Sequence, residues 1–290
     1  MKNSTTIIII AAFFFLLTSC MGPGNEKNNN ASDTEKPLLS TTVIPVAGFI
    51  EAIAGDDFIV NTMVPEGMPP VAYEPSSQQL KALEHSVMYF SLEALGFEMT
   101  TLPGLKKSNP GLEIIDISRG ITPITDGHDH GHDHGIDPHM WMSPIQSKYI
   151  AKNIYEALAQ KYPEKEEVLT SNYNSLIKKF EDAEAFILSK LGDKEISFMI
   201  YHPALSYFAR DYGLEQIPVE VHGKEPTPDY LHKVIRVANE KNIKVIFIQK
   251  QFDSNFAKII AKETNAKVIV FDPLAKNWEK TLYTVVNSLK

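Results

Sequence analysis

The stretch PEKEEVLTSNYNSLIKKFEDAEAFILSKLG, residues 163–192, decides how the rest of the chain is read. Its apolar residues recur at helical spacing, at Val168, Leu169, Tyr173, Leu176, Phe180, Ala183, Phe186, Ile187 and Leu191. Pro163 can stop one helix and begin another, and Glu164, Glu166 and Glu167 sit where the helix dipole favours negative charge. Gly192 supplies the stop. About 28 residues in one helix would run about 42 Å, longer than a small domain is wide. The preceding segment, SPIQSKYIAKNIYEALAQKY (143–162), is a second helix, with Ser143 as its expected N-cap and Pro144 as its first residue. No strand pattern interrupts residues 144–191.

On either side the pattern alternates between β-rich runs and helical periods. Upstream, strands are expected at TTVIPVAG (41–48), FIVNTMV (58–64), SVMYFSL (86–92) and LEIIDIS (112–118). Helices are expected at FIEAIAG (49–55), ending on Gly55, and at SSQQLKALE (76–84). Downstream, strands are expected at 195–201, 214–221, 244–249 and 267–272, and helices at 203–212, 227–242, 254–264 and 275–289. Strands alternating with helices imply βαβ units and parallel pairing. The fold class is therefore α/β: two βα lobes, at 41–143 and 193–290, each with a four-stranded, mainly parallel sheet. A helical linker (144–192) carrying the long backbone helix joins them.

The first forty residues stand apart. Lys2 precedes an apolar run from Ile7 to Leu17 that is too short to span a bilayer, and LTSC ends at Cys20, the single cysteine. Small residues directly before a cysteine resemble a bacterial lipoprotein signal. Residues 1–19 are then the signal peptide, Cys20 the lipidated residue and 20–40 a polar flexible tether. With Cys20 so used, the body has no thiol, hence no disulfide, no cysteine-ligated zinc and no cysteine nucleophile. Hydrophobic residues make up 43% and charged residues 22%, the balance of a globular body. The net charge of −8 argues against nucleic acid and mildly favours a cationic ligand.

The chemistry gathers after the strands, where parallel sheets bind ligands. GHDHGHDHG (127–135) places His128, His130, His132 and His134 in seven residues, and DPHMW then adds His139. In the second lobe His202 follows FMIY, Glu220 and His222 follow the next strand, Gln249 ends the third and Asp272 the fourth. Imidazole and carboxylate suit zinc. A histidine after a strand is more often a hydrogen-bonding group than a ligand, and an aspartate before proline can simply start a turn. The His/Asp/Gly run is a loop by composition, yet alternate imidazoles on a flexible chain can gather divalent metal weakly, limited by the entropy of ordering it. Met140, Trp141 and Met142 read as packing.

Taken together, LTSC, MVPEGMPPVAYEPSSQQ, DPHMWMSP, NYNSLIKKF, YHPALSYFARDYGLEQIPVE with GKEPTP, VIFIQKQFDS and VFDPLA cover 41–290 in order. In these the chain resembles the zinc/manganese solute-binding proteins of ABC transporters, above all the zinc-uptake members. The resemblance implies a lipid-anchored, extracytoplasmic protein, expected to be monomeric, that holds Zn2+ between two lobes and gives it to a membrane permease. It implies metal ligands at His139, His202 and Asp272. Mn2+ is the other cargo the resemblance allows. The family usually has proline followed by histidine in its first loop, where this chain has Pro70 and Val71. Valine cannot bind metal. A water, a histidine of the 128–134 run, Glu220 or His222 is left to complete the set. Two other functions fit the same residues: a surface metal buffer or adhesin-like lipoprotein without transport, and a zinc hydrolase. Against the hydrolase, the chain has no HExxH motif and no evident activated nucleophile, so no enzymatic activity is expected.

Overall fold

A computed structural model describes residues 36–71, 73–125, 135–192, 195–220, 227–252 and 255–289. Residues 36–290 form one compact unit. The first lobe holds strands β1 (Leu38–Thr41), β2 (Ile59–Thr62), β3 (Ser86–Ser91) and β4 (Glu113–Asp116), with helices α1 (Ile44–Ala54), α2 (Ser77–Leu83), α3 (Gly96–Thr100) and α4 (Leu102–Ser108). Helices α5 (Pro144–Lys161) and α6 (Glu166–Leu191) follow. The second lobe holds β5 (Ser197–Ile200), β6 (Glu215–Pro218), β7 (Val245–Gln249) and β8 (Lys267–Phe271), with α7 (Ser206–Asp211), α8 (Pro228–Glu240), α9 (Asn255–Thr264) and α10 (Trp278–Ser288).

Both sheets are wholly parallel and share one strand order, β2-β1-β3-β4 and β6-β5-β7-β8. Central β7, VIFIQ, is buried at every residue, as a strand covered on both faces must be. Edge strand β2 is only partly covered.

Two expectations shift. The run 41–48 is mostly not a strand: β1 lies upstream at Leu38–Thr41, inside the stretch read as tether, and the chain enters α1 at Ile44. Pro45 is the cause, since its fixed φ and missing N–H suit a helix's first turn and not a central strand. Ser143 occupies the N-cap position of α5 but makes no capping bond; its hydroxyl donates to Asp211 Oδ2 at 2.5 Å instead.

The long helix begins after a 3-10 turn at Pro163–Lys165 and runs 26 residues. It packs against α1, α5 and α10. Phe180, fully buried, meets Phe49 of α1 edge-on at 5.1 Å and Trp278 of α10 at 5.0 Å. Its apolar stripe is thus shared by both lobes, and one hydrophobic cluster runs from Leu39 and Phe90 in the first sheet to Phe198 and Phe247 in the second.

Candidate metal centre

In the second sheet the chain leaves β5 for β6 on one side and returns to β7 on the other. The carboxyl ends of β5 and β7 therefore flank a crevice. His202 stands there, directly after β5. Gln249, the last residue of β7, fixes its backbone: Gln249 Nε2 donates to the His202 carbonyl at 2.5 Å, and His202 N–H donates to Gln249 Oε1 at 3.3 Å. The ring stacks on Phe252 at 5.4 Å, and its Nδ1 lies 2.6 Å from Glu220 Oε1.

His139 opens a 3-10 turn, His139–Met142, on the first-lobe side. Asp137 holds it twice: Oδ1 accepts the His139 backbone N–H at 2.8 Å and lies 2.8 Å from His139 Nδ1. Burial would raise the Asp137 carboxyl, but the neighbouring His139, with Ser206, outweighs it and holds the group below the ordinary range. The imidazoles of His139 and His202 meet edge to face with centroids 5.2 Å apart. Each has a carboxylate at Nδ1. That partner requires an N–H there, so a neutral ring offers Nε2 as its lone pair, an arrangement common to metal-binding histidines.

A cavity of about 240 Å³ opens on this pair, walled by Pro69, Pro70, Val71 and Leu274. A second, of about 480 Å³, lies on a further side, with Asp137, Met99 and Val71 in its lining. His139 and His202 line both.

Asp272 follows β8 and is almost buried, at 9% exposure. Its neighbours Pro273 and Leu274 line the first cavity. Its carboxylate, however, is engaged within its own lobe: Oδ1 accepts Gln251 Nε2 and the Leu274 N–H, each at 3.0 Å, and Oδ2 lies 3.5 Å from Lys250 Nζ. Among the described residues no group of three or more histidine, cysteine, aspartate or glutamate side chains is arranged to hold a metal ion. The structure thus brings His139, His202 and Glu220 together and leaves the Asp272 carboxylate on other partners. His128, His130, His132, His134, His222 and Cys20 lie outside the described residues.

Sequence reading passed over Asp137. Its signal was the Asp-x-His spacing, since an aspartate commonly bonds the backbone two residues on. It also missed the link between the lobes at this point: Trp141, fully buried, donates its Nε1–H to the Pro273 carbonyl at 2.8 Å. That bond ties the turn carrying His139 to the loop carrying Asp272.

Two parallel-sheet lobes share a backbone helix, with a paired-imidazole cleft between them, which is the two-lobe frame of a solute-binding protein. The family described as zinc-uptake complex component A, periplasmic, matches residues 40–289, and the chain belongs to it. Among similar proteins is the zinc-binding protein AdcA of Streptococcus pyogenes serotype M3, 29% identical over 271 residues, which cover 85% of this chain and 52% of AdcA. The chain thus spans about half the length of that relative. The high-affinity zinc uptake system protein ZnuA of Bacillus subtilis is 28% identical over 269 residues, covering 87% of this chain and 83% of its own. A crystal structure of ZnuA superposes with a TM-score of 0.80 at 34% identity, covering 88% of this chain and all of the other.

Proposed function

We propose that this protein captures Zn2+ in the cleft between its lobes and hands it to the permease of an ABC transporter, held at the outer side of a membrane by lipid on Cys20. The adjacent pair His139 and His202, each with its own carboxylate, carries this reading. Their Nε2 atoms supply two donors. Asp272 supplies the third on leaving Gln251 and Lys250, and water or a histidine of the 128–134 run supplies the fourth. Glu220 orients His202, and His222 is an alternative donor. Imidazole-rich ligation favours zinc over manganese. The His-rich run gathers metal weakly, and the folded histidines hold it.

Zinc titration against a competing chelator tests the assignment. His139→Ala and His202→Ala should each lower affinity by about 100-fold or more, while the fourfold alanine variant of the run should keep most of the tight step. Wild-type affinity retained in both single variants would end the proposal.

One observation favours a second reading, a surface metal buffer without transport: Val71, 52% exposed, stands in the cavity wall where the family resemblance expects a histidine. Growth on limiting zinc with the cognate permease present separates the two, because a buffer would bind zinc and fail to support growth.

A further inference from the structure

Lys250 stands beside Asp272, the carboxylate on which the zinc-capture reading draws. Its backbone N–H donates to the Phe271 carbonyl at 3.1 Å, which fixes the residue beside the end of β8. From there its ammonium reaches Asp272 Oδ2 at 3.5 Å, while Gln251 and the Leu274 N–H take up Oδ1. The Lys250 side chain is 63% exposed and that of Asp272 only 10%. The carboxylate is therefore enclosed, with neutral donors on Oδ1, while the cation on Oδ2 reaches it from solvent. The other two carboxylates of the centre, Asp137 and Glu220, are each paired to a histidine. Among the described charges paired with these three carboxylates, Lys250 is the one permanent cation.

From this we propose that Lys250 competes with the metal ion for Asp272, and so sets how tightly the centre holds its cargo and how fast it lets go. The proposal rests on the zinc-capture reading and adds a residue to it. A dication and an ammonium cannot share one carboxylate oxygen without repulsion, so binding zinc must displace the lysine. When the ion leaves, the lysine returns and the carboxylate does not stay behind as an unpaired buried charge. A tight site gains a low-barrier exit in this way, at the cost of some affinity. Because the lysine is exposed and its charge screened, the effect is modest, about three- to tenfold in affinity.

The test compares wild type with Lys250→Met, which keeps the apolar stem and loses the charge, and Lys250→Arg, which keeps the charge. Zinc affinity is measured by chelator competition and dissociation by stopped flow. Lys250→Met should bind zinc about three- to tenfold tighter, mainly through slower release. Lys250→Arg should match wild type, and metal-free Lys250→Met should melt slightly lower, because it loses the pairing that zinc would displace. In an Asp272→Asn background the gain from Lys250→Met should shrink markedly. Unchanged or weaker binding by Lys250→Met overturns the proposal, and so does an equal gain in the Asp272→Asn background. If wild type binds no zinc, the capture reading itself fails. If Asp272→Asn weakens zinc while Lys250→Met changes nothing, only the role of Lys250 fails.

Discussion

Replacing Glu98 with Gln should reverse its effect on stability between acid and mild alkali. Glu98 lies in α3, 2% exposed. Its carboxyl accepts from Thr42, itself hydrogen-bonded to the Tyr89 hydroxyl at 2.6 Å, and from the Ala94 N–H at 3.4 Å. Burial outweighs these bonds and pushes the carboxyl from 4.5 up to about 7. Between those values the folded state keeps a proton that the unfolded chain has lost. Stability from this group is therefore full below pH 4.5 and falls as pH rises through 7. The rise of about 2.5 pH units corresponds to about 3 kcal/mol lost by pH 8. Glutamine removes the dependence but brings an amide N–H₂ among donors, at a fixed cost of about 1–2 kcal/mol. The variant should then be less stable than wild type at pH 5 and equal or more stable at pH 8. The curves should cross, with a relative shift in melting temperature of roughly 6–12 °C over that range. Urea unfolding of metal-free protein at a series of pH values measures it, since bound zinc would add its own pH dependence. Curves that run parallel from pH 5 to pH 8 would show that Glu98 ionises normally and that burial is not the controlling force.

Three further outcomes follow from single contacts. Glu220→Gln keeps a hydrogen-bond acceptor near His202 Nδ1 but removes the charge, so zinc affinity should fall by about 10- to 100-fold with little change in metal-free melting. Trp141→Phe preserves an aromatic in the buried site but orphans the Pro273 carbonyl. It should cost about 1–3 kcal/mol in urea unfolding and weaken zinc, because the loop carrying Asp272 loses its tie to the turn of His139. Tyr207→Phe removes a hydroxyl that accepts the Ile124 N–H at 3.1 Å and donates to the Asp137 carbonyl at 3.0 Å. Amide exchange at Ile124 should then quicken while exchange in β5 and β7 stays slow.

How far the sequence determines this molecule differs between its backbone and its site. The long helix was legible because an apolar stripe from Leu169 to Leu191 has a single periodicity and clear ends. Central β7 was legible because a strand covered on both faces reads as an apolar run, here Val245 to Ile248. The first strand was misplaced where Val43 and Ile44 look β-prone but Pro45 decides, and only the position of the proline within the first turn separates the two readings. At the site, His202 was a candidate from its place after β5 and His139 from the DPHMW motif, and the family resemblance is what named both as ligands. The state of the Asp272 carboxylate was not legible. It depends on Lys250 and Gln251, which are adjacent in sequence but reach Asp272 only because β7 and β8 are paired in register, with Gln249 opposite Phe271. A slip of one residue in that pairing would turn Lys250 to the other face. The partners of the Asp272 carboxylate are thus written into strand register.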